Sequence, residues 1–350
     1  MSKFFVTGGA GFIGSNFIKS LLNDDHFVIN FDLLTYAASK DTVKDFIKER
    51  NFKFVKGNIL DKKRINQIYK IYEPDAIINF AAETHVDRSI DDPDNFITTN
   101  ILGTFQLLNT SYKYWKCIKN IKKKNKFRFL QISTDEVYGS IKKGSASEKT
   151  LLSPNSPYSA SKSSADHIVS SYFKTYNLPT IIARSSNNYG PYQFPEKLIP
   201  LIIIKALREE HLPIYGNGQH IRNWLYVRDN VRAIKKILNK GKVGNIYNVG
   251  GKEELNNLQL VKNICKILDK IRPRKNGKKY KTLIKFVTDR PGHDKRYSLN
   301  SKKIKNNLSW ESKTNINLGL ELTINWYLSN KDWWFNIQKS KYKGQRLGQI

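Results

Sequence analysis

Phe4-Phe5-Val6-Thr7-Gly8-Gly9-Ala10-Gly11-Phe12-Ile13-Gly14 sets an apolar strand against a glycine-rich turn, and the apolar periodicity of 13–22 then predicts a helix. Glycines let the chain turn tightly and let backbone N–H groups approach a pyrophosphate, while a helix N-terminus adds its positive dipole. Asp32 lies 24 residues beyond Gly8, after the apolar run 27–31. A carboxylate there accepts hydrogen bonds from an adenosine ribose and repels a 2′-phosphate. Strand, glycines, helix, second strand and acid in this register predict a dinucleotide site that favours NAD over NADP.

The same alternation continues outward. Strands are expected at 52–55, 76–80 and 127–132, and helices at 42–50, 62–72 and 94–116. A helix at 163–176 and a buried strand at 180–184 extend the pattern. This beat describes an α/β, Rossmann-like doubly wound parallel sheet covered on both faces. After Ser185 the rhythm loosens into Asn/Gly/Pro-rich segments such as Asn187-Asn188-Tyr189-Gly190-Pro191, expected to form a smaller C-terminal α/β substrate-binding domain. The apolar stretches 224–227 and 246–249 are expected to return to the first domain. The division is therefore residues 1–184 plus about 224–250 for the NAD-binding part, and 185–223 plus about 251–338 for the other. Residues 339–350 read as a loose basic tail.

Composition bounds the function. With 350 residues and 39% hydrophobic content, the chain can bury a substantial core. The formal charge of +30 is spread along the length rather than gathered in a stripe, so no nucleic-acid partner is expected, although an anionic substrate would benefit from the field. Cys117 and Cys265 match no metal or redox spacing, so neither a metal nor a disulfide is expected. The longest apolar run, 198–204, is too short to span a bilayer and contains Pro200. A cytoplasmic protein without membrane contact is expected.

Two stretches carry chemistry. Ser133-Thr134-Asp135-Glu136 puts a hydroxyl and an acid pair directly after a strand, and Tyr158-Ser159-Ala160-Ser161-Lys162 sets a Tyr and a Lys one helical turn apart. A Lys at that spacing beside a positive nicotinamide ring lowers the pKa of a phenol that must act near neutral pH. Two adjacent carboxyls serve as acid and base only if their surroundings push their pKa values apart. The bland reading of the trio is a helix cap with a first-turn acid. Asn58, after the third strand, suits either an adenine edge or a turn, and Ala81 and Ala82 suit either close cofactor approach or tight packing.

Together with the dinucleotide site, these residues resemble the extended short-chain dehydrogenase/reductase superfamily over nearly the whole chain. His85-Val86-Asp87-Arg88-Ser89, Thr134-Asp135-Glu136, Phe194-Pro195-Glu196-Lys197-Leu198, Arg222-Asn223-Trp224 and Asp289-Arg290-Pro291-Gly292-His293-Asp294 resemble its nucleotide-sugar 4,6-dehydratases. That resemblance implies a lyase acting on a nucleotide-diphosphate glucose through C4 oxidation, C5/C6 elimination and C6 reduction with tightly bound NAD, in deoxysugar synthesis of the rhamnose type. Thymidine diphosphate is the expected carrier, with UDP-glucose, or a 4-epimerase reaction, as the enzyme alternatives. An epimerase has no work for an Asp-Glu pair; a catalytically inactive NAD-binding interaction protein would show a broken trio or a broken Tyr/Lys pair.

The implied catalytic residues are Thr134, Asp135, Glu136, Tyr158 and Lys162. For NAD they are Gly8, Gly11, Phe12, Ile13, Gly14, Asp32, Leu33, Thr35, Asn58, Ile59, Ala81, Ala82, Thr99, Tyr158, Lys162 and Asn188. For the substrate they are Thr84, His85, Asn187, Lys197, Leu198, Pro213, Tyr215, Arg222, Asn257, Arg290 and His293. Asn58 and Asn223 depart from the family pattern, which often carries Asp at both. The helices at 94–116 and 161–176 match the superfamily's usual dimer face, so a homodimer is expected.

Overall fold

Apolar runs without alternation need cover on both faces. The computed structural model describes residues 1–342, 344, 345 and 347. Its strands are β1 (Lys3–Thr7), β2 (Phe27–Asp32), β3 (Phe52–Lys56), β4 (Ala76–Asn79), β5 (Arg128–Thr134), β6 (Thr180–Ser185), β7 (Asn187–Tyr189), β8 (Leu212–Tyr215), β9 (Ile221–Tyr226), β10 (Ile246–Val249), β11 (Glu253–Asn256) and β12 (Ile284–Val287). Seven form one parallel sheet in the order β10-β6-β5-β4-β1-β2-β3. Successive side chains leave a strand on opposite faces. Phe4, Val6, Ile78 and Leu130 accordingly pack one way, with Phe17 and Ile18 of the helix Phe12–Leu22 and Ile234 of the helix Val227–Lys240. Phe5, Ile29, Ile77 and Phe129 pack the other way, with Ile65 of Lys62–Tyr72, Leu107 of Thr104–Cys117 and Val169 of Pro157–Tyr176.

The chain order reverses where β4 and β1 lie side by side, which opens a crevice at the C-terminal ends of the strands. Beyond it, β11-β9-β7 and β12-β8 form two smaller sheets. They pack with the helices Leu198–Leu207, Asn257–Ile271, Ile316–Ser329 and Lys331–Ser340 around a third core.

Three expectations change. The stretch at 224–227 returns to the first domain only through Leu225: as a strand, β9 pairs with β11 and β7. Alternation explains why it looked apolar throughout, because Leu225 enters the core of the large sheet while Trp224 and Tyr226 enter that of the smaller lobe. The helix that follows does return, and β10 joins the large sheet as expected. The long helix at 94–116 is a short α segment, seven residues of wider π pitch (Ile97–Gly103) and the helix Thr104–Cys117. Finally, the tail is not loose at its start. Lys339 and Ser340 end a helix and Tyr342 is buried, while 343, 346 and 348–350 lie outside the described residues.

Candidate active site

The glycine turn is held by geometry that admits no side chain. Gly8 has φ +68°, and a Cβ there would stand 2.5 Å from the backbone N of Ala81. One at Gly14 would stand 2.4 Å from the Gly8 carbonyl oxygen. Asp32 ends β2 and accepts from the backbone N–H of Ala10 (2.9 Å) and of Leu34 (2.7 Å). Burial raises its pKa, and those two N–H groups oppose the rise. A cavity of about 290 Å³ opens here, and every residue predicted to contact the cofactor lines it. Asn58 serves the turn as well as the cavity, its Oδ1 accepting from the Leu60 N–H at 2.9 Å. At the cavity's inner end, Ser186 Oγ, Asn187 Oδ1 and Asn188 Oδ1 are buried without a partner among the described residues. A cradle closed to a Cβ, an acid at the second strand's end and unpaired polar atoms on residues that line the cavity fit a dinucleotide.

β5 delivers the trio to the crevice floor. Thr134 ends the strand and its Oγ1 accepts from the Glu136 N–H (3.2 Å), capping a single 3-10 turn, Asp135–Tyr138. The capping reading and the catalytic one therefore hold for the same residue. Thr134 also donates to Asp135 Oδ1 at 3.3 Å, and Thr134 and Tyr158 line the same cavity, so the hydroxyl stands between the phenol and the acid. Asp135 is buried, and burial together with the Glu136 charge pushes its pKa up to about 8. Burial raises Glu136 too, against the pull of Arg290, Arg222 and Lys197. Asp135 Oδ2 has no partner among the described residues.

Tyr158 sits in the first turn of the helix Pro157–Tyr176, started by a Ser156/Ser159 capping box with Pro157 in the first turn. Burial and the Glu136 charge hold its phenol well above the ordinary value. The Lys162 ammonium donates to the Ile132 carbonyl at 2.7 Å, and burial lowers its pKa to about 8. Below it, Arg184 Nε binds Asp166 Oδ2 at 2.8 Å and Ser133 Oγ donates to the same oxygen at 3.0 Å. This fixes the helix against β5 and β6. The π segment supplies the remaining brace: the Asn100 side chain bonds both the N–H (2.9 Å) and the carbonyl (3.0 Å) of Glu83 and also Ser161 Oγ (2.8 Å).

A second cavity, about 460 Å³, meets the first at Thr84, Glu136, Asn187, Glu196 and Lys197. All eleven residues predicted for the substrate line it. Lys197 donates to the Thr84 carbonyl at 2.9 Å. Arg290 pairs with Asp87, which also accepts from Tyr215 (3.1 Å). The Arg222 guanidinium lies 4.3 Å over the Tyr297 ring, and Tyr297 donates to Asp294 at 2.8 Å. His85 is buried at the start of the helix Val86–Asp91, and burial together with Lys197 and Arg290 holds its pKa well below the usual value. His293 is held down to about 3 by burial and by Arg290 and Arg222, so its ring is neutral. The carboxylate of Asp289 accepts from its Nδ1–H at 2.6 Å, leaving Nε2 as an acceptor. His293 is thus suited to a hydroxyl or N–H donor, and the arginines to phosphate oxygens.

Asn223 does not face the arginine's ligand. Its buried amide donates to the carbonyls of Gly251 (3.0 Å) and Glu253 (3.3 Å), a task an Asp carboxylate does not perform. Asp87, expected with His85 after the fourth strand, lines the site, as do two residues not chosen from sequence, Glu196 and Tyr297. Glu196 sits inside a motif already singled out, beside Lys197, and adjacency was the available signal. Tyr297 had none, since only the third dimension brings it within 3.4 Å of Glu136.

The family model described as GDP-mannose 4,6 dehydratase matches residues 5–323. The dTDP-glucose 4,6-dehydratase of Xanthomonas campestris pv. campestris (strain B100) is 47% identical over 349 residues, covering 99% of each chain. Among solved structures, dTDP-glucose 4,6-dehydratase from Bacillus anthracis str. Ames in complex with NAD superposes with a TM-score of 0.85 at 44% identity, over 96% of this chain and all of that one. DesIV, the dTDP-glucose 4,6-dehydratase of Streptomyces venezuelae, solved with NAD and a second ligand, gives 0.86 at 39%, over 96% and 99%. With its glycine turn, Thr-Asp-Glu trio and Tyr/Lys pair in this arrangement, the chain belongs to the GDP-mannose 4,6 dehydratase family, alongside the dTDP-glucose 4,6-dehydratases.

Proposed function

We propose that this protein is a lyase converting dTDP-glucose to dTDP-4-dehydro-6-deoxyglucose and water, with NAD held in the first cavity and the nucleotide sugar in the second. The observation that carries this reading is Asp135. A carboxyl kept protonated at neutral pH, next to a second carboxyl in a field of three cations, is what elimination requires and what a simple oxidation and reduction does not. NAD would be held by the Gly8–Gly14 turn, Asp32 and the inner-end residues; when bound it accepts hydride from C4, returns hydride to C6 and supplies a positive ring that favours the Tyr158 phenolate.

Tyr158 takes the proton of the C4 hydroxyl, with Thr134 holding the C4 oxygen. The resulting 4-keto group makes the C5 proton acidic. Glu136 takes that proton while Asp135 gives its own to the C6 hydroxyl, which leaves as water. Glu136 later returns its proton to C5. The cycle ends with Tyr158 holding a proton that Asp135 lacks, and the Thr134 hydroxyl, which donates to Asp135 and lines the cavity with Tyr158, offers the route for its transfer. Lys197, Arg222 and Arg290 carry the diphosphate charge, and Pro213 and Tyr215 wall the base.

The domain division at about residues 185 and 250, the cytoplasmic setting and a role in rhamnose-type deoxysugar synthesis are part of the same proposal. Among the described residues no helix is long and apolar enough to cross a membrane. A homodimer is supported by Ile97, Leu102 and Phe105, which are 44%, 51% and 40% exposed within nine residues of the π segment and its helix.

The test is to incubate purified protein with dTDP-glucose and, separately, UDP-glucose, following mass and the alkaline absorbance of a 4-keto sugar. Loss of one water from dTDP-glucose is expected. Unchanged mass with both sugars after NAD is supplied would overturn the lyase assignment.

A further inference from the structure

The described residues after the helix Lys331–Ser340 border both cavities. The helix Lys331–Ser340 is tied to the helix Lys40–Ile47 by Trp333 Nε1 to Thr42 Oγ1 (2.9 Å) and by Asn336 to Asp41 (3.1 Å). Immediately after it, the Lys341 ammonium donates to the carbonyls of Thr35 and Ala38, each at 2.6 Å, across more than 300 residues of sequence. Those two carbonyls belong to the loop that follows Asp32, and Thr35 and Ala38 line the first cavity. Lys341 and Asp32 also attract one another electrostatically. The next residue, Tyr342, is buried, and it lines the second cavity together with Gly344 and Leu347. One short segment therefore touches the adenosine end of the cofactor cavity with one residue and the nucleotide-sugar cavity with the next.

We propose that Lys341 is a positioning residue, a latch that pins the loop after Asp32, and that through it NAD retention is coupled to occupancy of the nucleotide-sugar cavity. The proposal rests on the assignment of the two cavities above. The loop is also held by the Leu34 N–H on Asp32 and by Tyr36, which packs against Phe194 and under Arg88, but between them Leu34 has φ +61°, a strained value for a side chain with a branched γ-carbon, and the Ala38 N–H to Thr35 carbonyl bond is long at 3.3 Å. Two charge-assisted hydrogen bonds from a lysine anchored by a packed helix restrict it from outside. A nucleotide diphosphate seated against Tyr342 in the second cavity bears on Lys341 beside it. Linkage then requires NAD to strengthen nucleotide binding by the same factor that nucleotide strengthens NAD binding.

The experiment uses full-length protein loaded with etheno-NAD and chased with excess NAD, with and without dTDP, for the parent, Lys341→Met and Lys341→Arg. The parent should release etheno-NAD more slowly when dTDP is present. Lys341→Met should release it roughly three- to tenfold faster, the scale of the net worth of one hydrogen bond lost, and should lose the dTDP effect, while Lys341→Arg restores most of both. Melting of the NAD-free proteins shows that each variant is folded; a purely structural role for Lys341 lowers that temperature without touching the dTDP response, whereas a latch changes the response. Equal release rates and an equal dTDP response in parent and Lys341→Met would overturn the latch while leaving the site assignment standing. A parent that takes up no etheno-NAD would overturn the assignment of the first cavity and the latch with it.

Discussion

Asp135 and Glu136 are chemically near-equivalent residues one peptide apart, and their surroundings separate them. Asp135 lies against Thr134 with its second oxygen unpartnered, so the charged form has little to favour it and its pKa rises to about 8. A proton donor with that value is lost as pH rises through about 8, so turnover should fall on that side. Asp135→Asn should lower kcat by roughly a hundredfold or more, the ordinary weight of a general acid, and should remove the alkaline limb. A pH–rate profile of the variant that keeps the limb would assign it to another group. The same shift bears on stability. In the unfolded chain the carboxyl ionises near its ordinary value, in the folded one near 8, so its contribution is fully present below the unfolded pKa and declines as pH rises through that window. Asn carries no charge to bury, and Asp135→Asn should therefore melt several degrees higher at pH 8 than the parent, with no difference at pH 4. Residue types and spacings made this trio legible in the sequence. Tyr297 was not legible, because its approach to Glu136 spans 161 positions and leaves no local pattern.

At the scale of elements, strands with both faces buried and helices with clear apolar stripes were placed correctly from sequence, as at Lys62–Tyr72 and β10. β9 was expected to return to the first domain, and its alternating residues serve two different cores, because an apolar stretch does not say which core each side chain enters. The π segment escaped notice for a related reason: the wider pitch is imposed by Asn100 reaching Glu83 and Ser161, which are tertiary contacts. The glycine turn is the opposite case, local and unambiguous. Gly8→Ala must place a Cβ 2.5 Å from the Ala81 backbone at a positive φ, a strain of about 1–3 kcal/mol that the β4 end relieves only by moving. Since Ala81 also lines the cofactor cavity, the variant should purify folded but with little NAD, read as nucleotide released on acid precipitation. Retention at the parent's level would show that the turn adapts without disturbing the cradle.

The whole molecule carries +30, and nothing in the arrangement of the site requires so much charge beyond the few cations that face the two cavities. Where excess surface character does carry information is the apolar stretch from Ile97 to Phe105. Large exposed apolar side chains scattered singly need no explanation, but three within nine residues of one helical rod form a patch that water covers at a cost. The rod packs beside the helix bearing Tyr158 and Lys162, where Asn100 and Ser161 already join the two. Burying the patch against a second copy would restrain both helices, linking assembly to the placement of the catalytic pair. Leu102 and Phe105 are 51% and 40% exposed in the single chain, so charges there burden the monomer little. Leu102→Glu with Phe105→Glu should therefore sediment as a folded species of 40.5 kDa, while the parent sediments at twice that mass. The double variant should also turn over more slowly at equal NAD loading, because Thr99 and Asn100 lie in the segment released to solvent. A parent that already sediments as a single chain would remove the dimer and leave the patch as ordinary surface.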